Sequence, residues 1–277
     1  MIKIYGILLV KNEDIFIEQC VSNVIDFLDK LIILDNLSTD KTFFLLKNLK
    51  KNYKHKIHLK KINSISSSHK YIEKFANKKI WILRIDGDEI LDKKKLKLFR
   101  KKIIEGKFQN FWKLESAVFN CIELKNNIAK GFIGNHGSEL YNFFAINSWK
   151  NCKTERLHFG EIKFKKNFNN MLVKNEKKNW NKSYFRCLHL CFLKRSSKDK
   201  NKWILNKAPF EIIGNFRLLK SQTKFFFKLI KSLLKKKIIL KNLFKLVFQY
   251  KIISLRKIVQ YGEGEIIKLD AKDFIKK

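Results

Sequence analysis

Proline is almost missing from this 277-residue chain, which has one, and glycine is scarce at ten. Few segments can therefore act as linkers, and no flexible hinge between independent domains is expected. Cysteine occurs five times, an odd number without framework spacing, which excludes a disulfide scaffold and suits a reducing cytosol. Acidic residues are in deficit: 25 Asp and Glu stand against 61 Lys and Arg, for a formal charge of +36. No apolar run reaches the length of a membrane span before a lysine interrupts it, and Met1 to Val10 is too short for a secretory signal. What is abundant is apolar: 45% hydrophobic and 13% aromatic residues exclude a disordered polypeptide and allow one substantial core with an appendage.

The positive charge invites a nucleic-acid reading, because basic patches bind phosphate backbones. Yet the lysines are scattered through every segment, the chain is rich in Lys, Ile, Asn and Phe together, and no zinc-finger or helix-turn-helix signature appears. A specific nucleic-acid partner is not expected. A cation-dependent nucleic-acid enzyme or basic binding protein remains the alternative function.

The most informative stretch is Trp81-Ile82-Leu83-Arg84-Ile85-Asp86-Gly87-Asp88-Glu89, an apolar run that ends in three carboxylates. Such a run reads as a buried parallel strand, and open α/β sheets place ligands at the ends of such strands. Crowded carboxylates repel one another unless a cation sits among them, and hard divalent ions take oxygen ligands. On this view, removing one carboxylate would relieve repulsion and leave the fold intact. The alternative is a turn with Gly87 at positive φ, followed by an acidic helix start before Leu91-Asp92-Lys93.

Upstream, the pattern alternates. Lys3 to Val10 is an apolar strand that breaks into Lys11-Asn12-Glu13-Asp14, and Ile15 to Leu28 carries apolar residues at helical spacing. A strand over Leu31 to Leu34 ends in Asp35-Asn36-Leu37-Ser38-Thr39-Asp40-Lys41-Thr42, where Ser38 or Asp40 can cap a helix through Phe43 to Leu49. A strand at Ile57 to Ile62 and a helix around Ser68 to Asn77 precede the strand before Asp86. This is the alternation of a doubly wound parallel sheet, and three polar loops meet on one edge.

VKNE after the first strand, DNLSTDKT after the second and IDGDE after the fourth resemble the signature positions of glycosyltransferase family 2, over roughly Ile2 to Asp92. The resemblance implies the Rossmann-like GT-A fold and a metal-dependent, usually inverting transfer from a nucleoside-diphosphate sugar, with Mn or Mg as the divalent cation. It implies that Val10, Asn12 and Glu13 border the nucleotide, that Asp35 and Asn36 face the base, that Asp86 sits near the ribose and the metal, and that Asp88 holds the metal against the diphosphate. Two later places resemble a subgroup associated with lipopolysaccharide and surface-polysaccharide sugars. Cys187-Leu188-His189-Leu190-Cys191-Phe192-Leu193-Lys194-Arg195-Ser196 is similar to a segment in which a histidine returns to the metal, and Trp149 to Leu157 is similar to a tryptophan followed six positions later by a glutamate, though Thr154 stands where a histidine often precedes it.

An inverting transfer needs a carboxylate within reach of the acceptor hydroxyl. No aspartate occurs between Asp92 and Asp199, so the base is sought among Glu115, Glu123, Glu139, Glu155 and Glu161. Glu155 is preferred, and Glu139 in Gly134-Asn135-His136-Gly137-Ser138-Glu139 is second or contacts a sugar. His189 is read as completing the hard-metal site with Asp86 and Asp88. A hydrogen-bonded core histidine is the plain alternative. A soft-metal site with Cys187 and Cys191, on the same side of one strand, is a further one that lacks the usual zinc spacing.

From Phe216 to Val259 the chain interleaves apolar and aromatic residues with lysines at three- and four-residue steps, and no acidic residue falls between Phe216 and Ile258. This pattern predicts basic amphipathic helix drawn to an anionic membrane surface, or else helices packed on the body with their lysines in water. The expected organisation is a GT-A domain over 1–200 and a C-terminal helical basic region over 201–277. The expected location is the cytoplasm, peripheral at the inner face of a membrane, with a glycan or lipid-linked acceptor.

Overall fold

The computed structural model describes residues 1–134, 137–151, 160–165, 168, 172–173, 180–198 and 266–275. In chain order it has β1 (Lys3–Val10), α1 (Ile17–Val24), β2 (Lys30–Asp35), α2 (Thr42–Asn52), β3 (Ile57–Lys61), β4 (Ile80–Asp86), β5 (Glu89–Leu91) and α3 (Lys93–Ile104). There follow β6 (Lys113–Glu115), β7 (Ala117–Lys125), β8 (Ile128–Ile133), β9 (Glu139–Asn142), β10 (Ile146–Asn151), β11 (Gly160–Phe164), β12 (Leu172–Val173), β13 (Arg186–His189) and β14 (Ile267–Asp270).

The main sheet runs β12-β6-β9-β4-β1-β2-β3, with β4, β1, β2 and β3 parallel and β9 antiparallel to β4. Alternation along β1 shows why this sheet is buried on both faces. Ile4, Leu8 and Val10 join Ile17, Val21, Val24 and Leu46 on one side, while Ile7 and Leu9 join Ile72, Phe75, Tyr141 and Trp149 on the other. Gly6 lies on the α1 side, where a Cβ would come within 2.5 Å of Leu28 Cδ1. The α/β expectation holds.

A second sheet, β14-β8-β7-β13-β5, begins where the first ends, because Asp86 closes β4 and Glu89 opens β5. β13 is parallel to β7 and antiparallel to β5, which brings His189 beside both Asn120 and Glu89. The β7–β8 hairpin turns through Asn126 and Asn127, at φ 50° and 60°, the left-handed pair that suits a two-residue connection.

Two expectations are corrected. The helix around Ser68 to Asn77 is instead a pair of 3-10 turns, Ile65–Tyr71 and Glu73–Phe75. A run of serines competes with helical hydrogen bonding, and Asn77 at φ 64° gives its N–H to Phe143 O and Ile146 O. The helical region expected to reach residue 277 is also not helical at 266–275. There β14 covers the edge of β8, and Ala271 and Phe274 are buried. Phe274 stacks on Trp180 at 5.8 Å, and Asn23 Nδ2 donates to both Phe274 O and Leu91 O, at 2.7 and 2.8 Å. The basic stretch from Phe216 to Val259 lies outside the described residues.

Candidate active site

Three loops leave the same edge of the parallel strands and are laced together by their own polar groups. Asn12, at φ 55°, donates its N–H to Ser38 Oγ at 3.0 Å, and its Oδ1 accepts from Thr39 N at 2.8 Å. Glu13 N donates to Thr42 Oγ1 at 2.8 Å, and Asn36 N to Val10 O at 2.9 Å. Neither Ser38 nor Asp40 takes the N-cap position, which is Lys41 and makes no side-chain cap, although Asp40 Oδ1 accepts from Thr42 N at 2.9 Å. Asp35 at the end of β2 is 0% exposed; Ser38 N donates to its Oδ2 at 3.2 Å, and its Oδ1 is buried with no hydrogen-bond partner among the described residues. A buried acceptor without a donor costs about 1–3 kcal/mol, which an N–H group of a ligand would offset.

The third loop is Gly87-Asp88, between β4 and β5. Gly87 is not left-handed. It is small because a Cβ would lie 2.9 Å from Glu13 Cγ and 3.1 Å from Val10 Cγ2, so it lets the third loop approach the first. Two of the three carboxylates that looked crowded in sequence, Asp86 and Asp88, have a protein cation. Asp86 Oδ2 is 3.1 Å from Arg84 Nη2. Asp88, 3% exposed, has its Oδ2 ion-paired with Arg195 Nη1 and 3.6 Å from His189 Nε2. Arg195 Nη1 also lies 3.2 Å from Glu13 Oε1.

Glu89, the third, makes no ion pair among the described residues. Burial first, then the Asp86 charge, push its carboxyl up to about 7, against the opposing effects of His189, the Ser138 hydroxyl and Arg84. Ser138 Oγ donates to Glu89 Oε2 at 2.8 Å. Burial alone would lower His189, but the neighbouring Cys191 and Asp88 raise it well above the ordinary imidazole value.

Asp88 and His189 come together as expected, and their chemistry fits a hard cation. His189 Nδ1 is 2.9 Å from Asn120 Oδ1, a contact that orients the ring with Nε2 toward Asp88, as outer partners of ligating histidines do. Asp86 does not join them in this arrangement, being held by Arg84. Among the described residues, no group of three or more His, Cys, Asp or Glu is placed to hold an ion. The strand expected to align Cys187, His189 and Cys191 ends at His189; Cys191 lies in the following turn, and Cys187 Sγ is 3.6 Å from Ser116 Oγ.

Glu139 lies on β9, opposite Glu115 of β6. Lys113 Nζ is 2.8 Å from both Glu115 Oε1 and Glu139 Oε1, Arg84 Nη1 is 3.4 Å from Glu139 Oε2, and the Tyr141 hydroxyl donates to the same oxygen. Burial would raise this carboxyl, but Lys113 and its hydrogen bonds outweigh burial and lower it. A carboxylate so held is a weak proton acceptor. Glu155 lies outside the described residues. Trp149, the start of the same motif, is buried and stacks on Phe143 at 5.2 Å.

Sequence reasoning singled out the segment through Ser196 but gave a role only to His189 within it. Ile15 N donates to Arg195 O at 3.1 Å, Ser196 Oγ to Asp40 Oδ2 at 2.6 Å, and Ser197 N to Asp14 Oδ1 at 2.6 Å, while Lys198 Nζ donates to Thr39 O. This segment ties the first two loops to the third. Arg84 had a visible signal, a charge inside an apolar strand; Arg195 had none beyond its nearness to His189.

Residues 7–120 match the family model Glycosyl transferase family 2. Comparison with curated proteins finds no match. Among solved structures the chain is similar to TarS of S. aureus in complex with UDP, at 17% identity and TM-score 0.32, over 45% of this chain and 37% of that one. It is similar to glucosyl-3-phosphoglycerate synthase of Mycobacterium tuberculosis in complex with Mn2+, UDP and glucosyl-3-phosphoglycerate, at 17% identity and TM-score 0.30, over 43% and 44%. A third likeness is to mannose-6-phosphate isomerase of Helicobacter pylori, at 14% identity and TM-score 0.37, over 52% and 72%. The chain thus covers less than half the length of the first two, and scores of this size carry no chemistry from one protein to another. The three loops all fall within residues 7–120, the segment that matches that family model.

Proposed function

We propose that this protein is a metal-dependent inverting glycosyltransferase that moves a sugar from a nucleoside-diphosphate sugar to a glycan or lipid-linked saccharide. The observation that supports this most directly is the meeting of Asp35 and Asp88 at one sheet edge within the family-matched segment. Asp35 keeps a buried oxygen without a donor, and Asp88 is paired with cations. Asp35 Oδ1 accepts an N–H of the nucleobase, and the loop through Asn12, Glu13 and Asn36 frames the nucleoside. Asp88, His189 and Asp86 would hold a divalent ion, Mn or Mg. When bound, that ion supplies Lewis-acid stabilisation of the leaving diphosphate.

The acceptor hydroxyl oxygen attacks the anomeric carbon as the bond to the diphosphate breaks, and the diphosphate leaves with the electron pair. The hydroxyl proton passes to a carboxylate. Glu155 takes that role in preference to Glu139, whose oxygens are engaged by Lys113, Arg84 and Tyr141. The lysine-rich stretch after Phe216 docks on anionic lipid and brings the enzyme to a lipid-linked acceptor at the inner face of a membrane. Among the described residues, no helix is long and apolar enough to cross one.

The test is a panel of nucleotide sugars assayed for release of nucleoside diphosphate with and without Mn2+. One donor should be turned over in a metal-dependent way, and Glu155→Gln should lower turnover by about two to four orders of magnitude while sparing donor binding. No turnover with any donor and acceptor, from protein that binds none of the nucleotides, would refute the reading. An unchanged rate in Glu155→Gln, with collapse in Glu139→Gln, would move the base to Glu139.

A further inference from the structure

Arg195 meets two of the three loops through buried partners. Its Nη1 is ion-paired with Asp88 Oδ2 and lies 3.2 Å from Glu13 Oε1; the three side chains are 13%, 4% and 9% exposed. Its own backbone is fixed by the Ile15 N–H, which donates to Arg195 O at 3.1 Å, and the next residues are tied to Asp40 and Asp14. The guanidinium is therefore not a passing surface charge. It takes up the Asp88 oxygen that also faces His189 Nε2 at 3.6 Å, the pair that would receive a divalent ion. An ion sharing that oxygen would be repelled by a buried positive charge, and the repulsion is strongest where water is excluded.

We propose that Arg195 is a resident cation on Asp88 that makes divalent-ion binding contingent on the nucleoside diphosphate. This rests on the donor reading above. A diphosphate offers the guanidinium fork another anionic partner, and arginine matches phosphate oxygens bidentately, so Arg195 can release Asp88 without being left buried and alone. The incoming negative charge is balanced by the divalent ion, which takes the oxygen Arg195 leaves. Arg195 is thus a positioning residue. It keeps the carboxylates neutralised in the empty enzyme, and links metal and donor binding so that each favours the other.

The experiment is calorimetric titration of the full chain with Mn2+, first alone and then with saturating UDP, GDP or dTDP. Removing the charge in Arg195→Gln should tighten Mn2+ binding without nucleotide by roughly tenfold or more, and weaken nucleoside diphosphate binding in the presence of Mn2+. An unchanged nucleotide-free Mn2+ affinity overturns the proposal. If Arg195→Gln does not fold, Arg195→Lys carries the test. It keeps a point charge but loses the fork, so it should tighten Mn2+ several-fold, and no change again overturns it. Wild type that binds a nucleoside diphosphate with Mn2+, beside variants with unmoved Mn2+ affinity, rejects the role of Arg195 alone. Wild type that binds no nucleoside diphosphate with or without Mn2+ rejects the donor reading, and this proposal with it.

Discussion

Asp88 is the residue on which most of the site's charge balance turns. With Arg195 ion-paired and His189 at 3.6 Å, its removal strands buried cations instead of relieving repulsion. The expectation from sequence, that a carboxylate here could be deleted without harm to the fold, is thereby reversed. Breaking a buried pair by removing one partner typically costs about 3–5 kcal/mol, so Asp88→Ala should lower the unfolding free energy measured in urea by an amount of that order, and Asp88→Asn by less. An Asp88→Ala protein as stable as wild type would show that the pair is not formed. Asp35 and Asp88 stood out in sequence because one ends an apolar strand and the other directly follows one, and His189 because it is a titratable group in an apolar strand. Arg195 did not, because its partner is 107 positions away in sequence and only the fold brings them together.

At the scale of elements, the parallel strands were readable almost to the residue, because burial on both faces demands the unbroken apolar runs of β1, β2 and β4. The segment before β4 was misread, since serines and the left-handed Asn77 break the helical pattern that its apolar residues suggest. The final strand β14 could not be read from local pattern at all, because its partner is β8 and its anchor is a polar side chain on α1. Asn23 should therefore matter more than its type suggests. Asn23→Leu leaves the carbonyls of Leu91 and Phe274 without this donor, and should destabilise by about 1–3 kcal/mol in urea denaturation. A variant within error of wild type would mean that α1, β5 and the tail are held by apolar contact alone.

For the whole molecule, the charge of +36 is a property of association, not of fold. Each lysine near an anionic surface contributes on the order of 1 kcal/mol before screening, so several together should hold the protein to liposomes at low salt. The aromatic residues interleaved with those lysines should add a part that salt does not remove. Because residues 267–275 belong to the body, the fair comparison changes Lys224, Lys228, Lys231, Lys235, Lys236, Lys237, Lys241 and Lys245 to Gln and leaves the tail in place. Co-sedimentation should rise with anionic lipid for wild type and fall for the variant; equal partition of both at every composition would refute membrane docking. The same charge keeps a nucleic-acid function as the rival to nucleotide-sugar transfer, and the two separate on ligand. The most direct measurement is thermal unfolding with nucleoside diphosphates or with duplex and single-stranded nucleic acid, each with and without Mn2+. A nucleoside diphosphate at a hundredfold excess over its Kd should stabilise by about 2.7 kcal/mol, only with the ion and not in Asp88→Asn. Protection by nucleic acid alone, falling steeply with salt, would contradict the account.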